Sequence, residues 1–211
     1  GSEIIDLVTL DGTTPANAGA EALVTLRLDG DNTGNQAAGS EQIGTDTAAD
    51  RIHVRSLPGT VDLTIFGGAG DDQFEIFSAD TAGDSANTVD NILGEINISP
   101  TFGSGATGED SRDEDGTDSL TIVDRADASG DTVTFTHSGS SSVGTGVATI
   151  DGLFDSGTGV DLTVNVNIDE LTVVTTDGDD RLNLDFQSTE HDLDNIAIYS
   201  AGGQDNFVFA A

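Results

Sequence analysis

Every apolar run in this 211-residue chain is short, none exceeds nine residues, and each alternates with period two. The runs include Leu7–Leu10, Leu23–Leu26, Arg51–Val54, Val61–Phe66, Phe74–Phe77, Ile92–Ile98, Leu120–Val123 and Thr132–Thr136. The series continues with Val160–Ile168, Leu171–Thr175, Leu182–Leu184, Ile196–Ile198 and Phe207–Phe209. Val, Ile, Thr and Phe dominate them, and alternation over so few residues is the signature of a half-buried strand. Polar members such as Asp62, Glu75 and Asn183 are expected to face water. Helix needs an apolar stripe at 3.6-residue spacing. Segment 13–22 could make one short turn, and 79–94 has a weak pattern around Ala86, Val89 and Leu93, but neither has a convincing stripe. The chain is therefore all-β.

Repetition narrows the fold further. Asp50-Arg51-Ile52-His53-Val54 aligns with Asp180-Arg181-Leu182-Asn183-Leu184, and Gly68–Phe74 aligns with Ala201–Phe207 three residues further out of phase. A shorter step separates Asp50 from Asp72 and Asp180 from Asp205. Steps of roughly 20–25 residues suit stacked coils of two or three strands each. The expected fold is a right-handed parallel β-helix, a solenoid, with Ile65, Phe74, Ile76, Ile96, Ile98, Leu120 and Ile122 stacked inside. A β-sandwich is the alternative that the same alternation permits. The expected organisation is a scar at 1–2, where Gly1-Ser2 replaces an initiator Met. A preceding module's tail or a cap follows at 3–49, then a solenoid module at 50–179 and the start of the next at 180–211.

Charge limits the partners. Six Arg and no Lys face 39 acids, giving a net charge of −33. Such a surface repels nucleic acid and anionic membranes, and no run approaches the 18 or so apolar residues of a membrane span. There is no Cys, which removes disulfides, thiolate metal sites and Cys nucleophiles. Cohesion in so acidic a chain calls for bound cations, high salt or an elongated body. Catalysis finds little support. His53, His137 and His191 are far apart in sequence, and His53 is expected to be exposed. A grouping of His137, Ser140 and Asp151 lacks a nucleophile elbow. With no Trp and a single Tyr, the chain also lacks the aromatic platforms of a sugar-cleaving cleft. We expect no enzyme.

Oxygen-rich turns are the feature with chemistry in it. Gly67-Gly68-Ala69-Gly70-Asp71-Asp72-Gln73-Phe74 fits G-G-x-G-x-D-x-U, in which glycine carbonyls and a carboxylate surround a hard cation. Related turns are Thr176–Leu182, with Asp177, Asp179 and Asp180, and Gly202–Phe207, with Asp205. The loop Asp29-Gly30-Asp31-Asn32-Thr33-Gly34 resembles the first half of an EF-type loop but lacks its terminal Glu. Residues 109–118 hold six acids in ten positions, among them Asp113, Asp115 and Asp118, which a cation would help to order. The candidate metal ligands are therefore Gly68, Gly70, Asp71, Asp72, Asp177, Asp179, Asp180, Asp205, Asp29, Asp31, Asp113, Asp115 and Asp118, with Ca²⁺ as the expected ion. The alternative is that Gly and Asp serve only as corner residues.

The stretches GGAGDDQFEIFSADTAGD (67–84), DNILGEINI (90–98), GTDSLTIVDRADASGDTVTFT (116–136) and IDELTVVTTDGDDRLNLD (168–185) resemble the tandem modules of giant bacterial extracellular proteins. Those are calcium-associated surface proteins and adhesins with hemolysin-type Gly-Asp turns. The resemblance covers about 50–211 and places the family's turn on Gly67, Gly68, Gly70 and Asp72, and again on Gly202, Gly203 and Asp205. The sequence departs from it in having no immediate tandem nonapeptides, and in Gln204 where Gly or Asp is usual. The resemblance implies secretion or a cell-surface location and a role as stalk, adhesin or matrix (biofilm) component. Calcium ions, glycans and neighbouring modules of the same protein are the implied partners. The lack of Lys suits a halophile's secreted protein equally well.

Overall fold

The computed structural model describes residues 4–7, 22–27, 49, 51–59, 61–66, 71–79, 81–99, 117–138, 147–154, 162–165, 168–186 and 195–209. Among the described residues the chain is all-β, with no helix. In chain order the strands are β1 (Ile4–Leu7), β2 (Ala22–Arg27), β3 (Arg51–Val54), β4 (Val61–Phe66), β5 (Gln73–Ile76), β6 (Ile96–Ser99) and β7 (Ser119–Val123). They continue as β8 (Thr132–Ser138), β9 (Val147–Asp151), β10 (Leu162–Asn165), β11 (Glu170–Val174), β12 (Arg181–Phe186), β13 (Asn195–Tyr199) and β14 (Asn206–Phe209).

Two sheets result. One has six strands in the order β1-β3-β5-β7-β11-β13, and every pair in it is parallel. The other has eight, in the order β14-β12-β8-β9-β10-β6-β4-β2. Its pairs are parallel except at β9, which runs antiparallel to both β8 and β10. From β1 to β8 the chain changes sheet at every strand. It then stays in the second sheet for β9 and β10, and resumes the alternation from β11 to β14. The mixed second sheet is a departure from the all-parallel expectation, and its cause is local. Only residues 139–146 join β8 to β9. A parallel return needs a crossover of about a dozen residues or more, so a link this short delivers an antiparallel neighbour.

Register turns the alternating pattern into columns. In the six-stranded sheet, Ile52, Phe74, Leu120, Leu171 and Ile196 share one column, and Val54, Ile76, Ile122, Val173 and Ile198 the next. In the other sheet Leu63, Ile96, Leu162, Ile150, Phe135, Leu184 and Phe209 follow one another, so the β9 excursion leaves the apolar column unbroken. Most of these residues are fully buried in one core that both sheets line. Each such side chain contributes roughly 1.5–3 kcal/mol by leaving water. All seven residues expected inside, from Ile65 to Ile122, are there. Asp62, Glu75 and Asn183 are half-buried rather than exposed, because parallel neighbours flank them on both sides.

In segment 79–94, the weaker helix candidate, the described residues (79 and 81–94) instead form turns and irregular chain between β5 and β6. The helix-like segment 13–22 lies outside the described residues except Ala22, which opens β2. His53 corrects another expectation, because it is buried. Its ring packs on Phe77 with centroids 4.2 Å apart, and Nε2 donates to the Phe77 carbonyl at 2.8 Å. Phe77, Val123 and Val174 form a second small apolar cluster beside the main core.

Candidate metal centre and the aspartate ladders

The residue just before a strand has left the ladder of backbone bonds, so its N–H needs another acceptor. Aspartate supplies it here, repeatedly. Asp72, Asp118 and Asp169 immediately precede β5, β7 and β11. The Asp72 N–H donates to Asp118 Oδ1 at 2.8 Å, and the Asp118 N–H donates to Asp169 Oδ2 at 2.7 Å. One position earlier the direction reverses, with the Thr117 N–H donating to Asp71 Oδ1 at 2.8 Å. A bond to a carboxylate is about twice as strong as a neutral one.

The second sheet repeats the device. Asp131, Asp180 and Asp205 immediately precede β8, β12 and β14. Asp180 Oδ1 accepts from the Asp131 N–H at 2.9 Å and from Thr176 Oγ1 at 2.7 Å. Asp205 Oδ1 accepts from the Asp180 N–H at 3.1 Å, and Asp179 Oδ1 from the Gln204 N–H at 2.7 Å in the reverse sense. The second oxygens of Asp131 and Asp180 are buried and accept no hydrogen bond from the protein. Glycine lets these corners stack backbone on backbone. Gly203 has φ +80°, and a Cβ on it would lie 2.1 Å from the Gly178 carbonyl oxygen.

Burial of so many carboxylates raises their proton affinity. Asp118 is pushed up to about 7, first by burial and then by Asp72, Asp169 and Asp71, against the opposing Asp72 amide. Asp131 also reaches about 7, through burial and the nearby charges of Asp124, Asp127, Asp180 and Asp90.

That last group contains a metal-like constellation. Carboxylate oxygens of Asp90, Asp124 and Asp127 all lie within 4.8 Å of one another. Asp124 ends the β7 segment and is buried, Asp127 sits half-buried in the following turn, and exposed Asp90 comes from the turns between β5 and β6. Asn87 holds the two segments together. Its carbonyl accepts from the N–H groups of Arg125 and Ala126 at 2.9 and 2.7 Å, and its side chain bonds the Ala79 N–H and the Thr81 carbonyl. The Val89 N–H donates to Asp124 Oδ1 at 3.3 Å, and the Asp124 N–H donates to the Val174 carbonyl at 2.8 Å. Burial, followed by the charges of Asp90 and Asp127, pushes Asp124 up to about 7. Two bonds from Ser129 hold Asp127 below the usual carboxylate range. Three carboxylates, one of them desolvated and one fully ionised, offer the all-oxygen environment that a hard cation favours.

The sequence-nominated residues are therefore distributed unevenly. Asp71, Asp72 and Asp118 meet at the corners of one sheet, and Asp179, Asp180 and Asp205 at those of the other. Asp177 lies exposed in the turn before β12, where its N–H donates to the Asp127 carbonyl at 3.0 Å. Gly68, Gly70, Asp29, Asp31, Asp113 and Asp115 lie outside the described residues, as do His191 and Ser140. Sequence reasoning missed Asp90, Asp124 and Asp127. The signal for two of them was Asp124-Arg125-Ala126-Asp127 directly after a strand, and nothing in the local sequence joins Asp90 to it. Compared with family models, curated proteins and solved structures, the chain matches none.

Proposed function

We propose that this chain is a non-catalytic, cation-braced β-solenoid: a stalk or spacer segment of a large secreted or cell-surface bacterial protein. The observation that carries the reading is the strand order, in which successive strands alternate between two sheets and nearly all neighbours pair in parallel, in-register fashion. A chain wound that way stacks like residues on like, and an acid at each corner becomes a row of acids. Repulsion along the row opposes compaction, and an oxygen-seeking divalent ion relieves it. In this reading Ca²⁺ sits at Asp90, Asp124 and Asp127, and the corner aspartates are mainly acceptors for backbone amides.

The test is thermal unfolding of chelated protein with and without about 5 mM CaCl₂ at fixed ionic strength, beside a Mg²⁺ control. A Ca²⁺-specific rise of about 10 °C or more is the expected result. A second reading, high-salt adaptation without specific sites, draws on the absence of Lys beside 39 acids. It takes over if NaCl and CaCl₂ of equal ionic strength stabilise equally.

A further inference from the structure

Two corners of the chain stack directly on one another. Residues 124–131 join β7 to β8, and residues 175–180 join β11 to β12. β7 pairs with β11 and β8 with β12, both in parallel, so the corners are held one rung apart, a step of roughly 4.7–4.9 Å. The Asp177 N–H donates to the Asp127 carbonyl at 3.0 Å, and the Arg181 N–H to the Asp131 carbonyl at 2.7 Å. Contact is close along the turn, because a Cβ on Gly130 would lie 2.1 Å from the Asp179 carbonyl oxygen. Val123 is paired with Val174, and Thr132 with Arg181. Asp124 therefore stands beside Thr175 at one end of the stack, and Asp131 beside Asp180 at the other.

These four residues carry more polar atoms than the protein satisfies. Asp124, Thr175 and Asp180 are 1%, 0% and 2% exposed, and Asp131 is half-buried. Asp124 has the Val89 N–H as a donor. The other three each keep one buried oxygen without a hydrogen-bond partner, namely Asp131 Oδ2, Asp180 Oδ2 and Thr175 Oγ1. The two carboxylates are neighbours, since Asp180 Oδ1 accepts from the Asp131 N–H at 2.9 Å, and the charge of Asp180 bears on Asp131. Thr175 adds what acidity alone does not: a fully buried hydroxyl that neither donates nor accepts, in register beside the stack's other buried acid. Arg125, the cation in the same corner, reaches instead to the Gly83 carbonyl at 3.4 Å. A water molecule would supply donors but no charge, and adjacent buried carboxylates need charge as well.

We propose that the space between these two corners binds a monovalent metal cation, Na⁺ or K⁺, through Asp131 Oδ2, Asp180 Oδ2 and Thr175 Oγ1. Two carboxylate oxygens and one hydroxyl fall short of the roughly six to eight oxygens that Ca²⁺ takes, and Mg²⁺ gives up its water reluctantly. A monovalent ion loses its water at lower cost on burial. Beside a divalent ion at Asp90, Asp124 and Asp127 it also repels that ion half as strongly as a second divalent ion would. The ligands lie outside that trio, so the site does not depend on calcium binding there. Part of the chain's response to salt then follows the size of the cation rather than ionic strength.

The test is thermal unfolding of chelated protein, free of divalent ions, at about pH 8 in NaCl, KCl or choline chloride. Each salt is at about 0.5 M, so screening is equal in all three. The expected result is a midpoint about 3 °C or more higher in NaCl or KCl than in choline chloride, whose cation is too large to enter. Asp180→Asn keeps an acceptor for the Asp131 N–H and the Thr176 hydroxyl and replaces the second oxygen by an amide nitrogen, so it should close that gap. Thr175→Val keeps the shape and removes only the hydroxyl. It should narrow the gap without lowering the midpoint in choline chloride. Because it breaks no side-chain hydrogen bond, it decides the matter if Asp180→Asn does not fold. A wild-type midpoint equal in all three salts, as a trapped water or a shared proton would give, overturns the proposal. So does a gap that Thr175→Val leaves at full size. With no divalent ion present, neither result bears on the calcium reading, which its own thermal shift tests.

Discussion

The N–H of Asp72 reaches the carboxylate of Asp118, 46 residues later in the chain, at 2.8 Å. The bond joins corresponding corners of two parallel strands, and Asp118 in turn gives its own N–H to Asp169. Asp118 is thus both donor, through its backbone, and acceptor, through its side chain. Replacing Asp118 by Ala should strand a buried amide and cost about 1–3 kcal/mol. Replacing it by Asn keeps an acceptor oxygen and removes the buried charge, so Asp118→Asn should be near neutral at pH 5 and stabilising at pH 8. Urea unfolding of both variants at the two pH values checks this, and equal losses would refute the acceptor role.

Stability should fall as pH rises from about 4 to about 7 in the absence of divalent ions. Asp118, Asp124 and Asp131 are each raised to about 7 in the folded chain, chiefly by burial. The unfolded carboxyls titrate near 3.9, so between these values the native state holds more protons than the unfolded state. Stability from these groups is complete below the unfolded value and is lost on passing through the folded one. A thermal midpoint that climbs steadily from pH 4 to pH 8 in chelator would contradict this assignment.

Calcium binding, in the reading above, requires Asp124 to give up its proton. Affinity should therefore increase from pH 6 to pH 8, with proton release seen as a buffer-dependent heat in calorimetry. Asp124→Asn with Asp127→Asn should abolish the Ca²⁺-specific thermal shift, whereas Asp205→Asn should preserve it. If Asp205→Asn alone removes the shift, the ion belongs at the corners instead.

Backbone stacking at the corners makes two glycines very unequal. Gly203→Ala meets both φ +80° and a carbonyl oxygen 2.1 Å from the new methyl group, and should cost about 1–3 kcal/mol or more. Gly83→Ala meets nothing within 4 Å and should be neutral to slightly stabilising. Comparing their thermal midpoints tests whether the turns pack as closely as described.

Much of the β-structure was legible in the sequence, because burying one face of a strand forces alternation. Val61–Phe66 is a strand over its whole length. Other boundaries shifted where pairing intervened. The run from Ile92 to Ile98 becomes a strand only from Ile96, since Ile92 pairs separately with Leu57. β9 went unnoticed because Val147–Asp151 follows a polar loop and carries few apolar residues. The longer repeat misled in one respect. It equates Arg51–Val54 with Arg181–Leu184, yet these lie in different sheets as β3 and parts of β12. Asp180 accepts an orphan amide before β12, as Asp118 does before β7 in the other sheet, so an Asp before a strand marks a corner rather than a phase; Asp50 lies outside the described residues. The shorter step was the informative one, because Arg51 pairs with Gln73 and Arg181 with Asn206. The candidate metal centre was hardly legible, since Asp90 meets Asp124 only through stacking.

The direction of the inter-strand bonds has a mechanical consequence. In both sheets they run from one strand to the next along the line joining β1 to β13 and β2 to β14. A pull between those ends loads the strand pairs in series, so every pair bears the same tension and the weakest one gives way first. Under traction such a body should therefore lengthen pair by pair rather than part all at once.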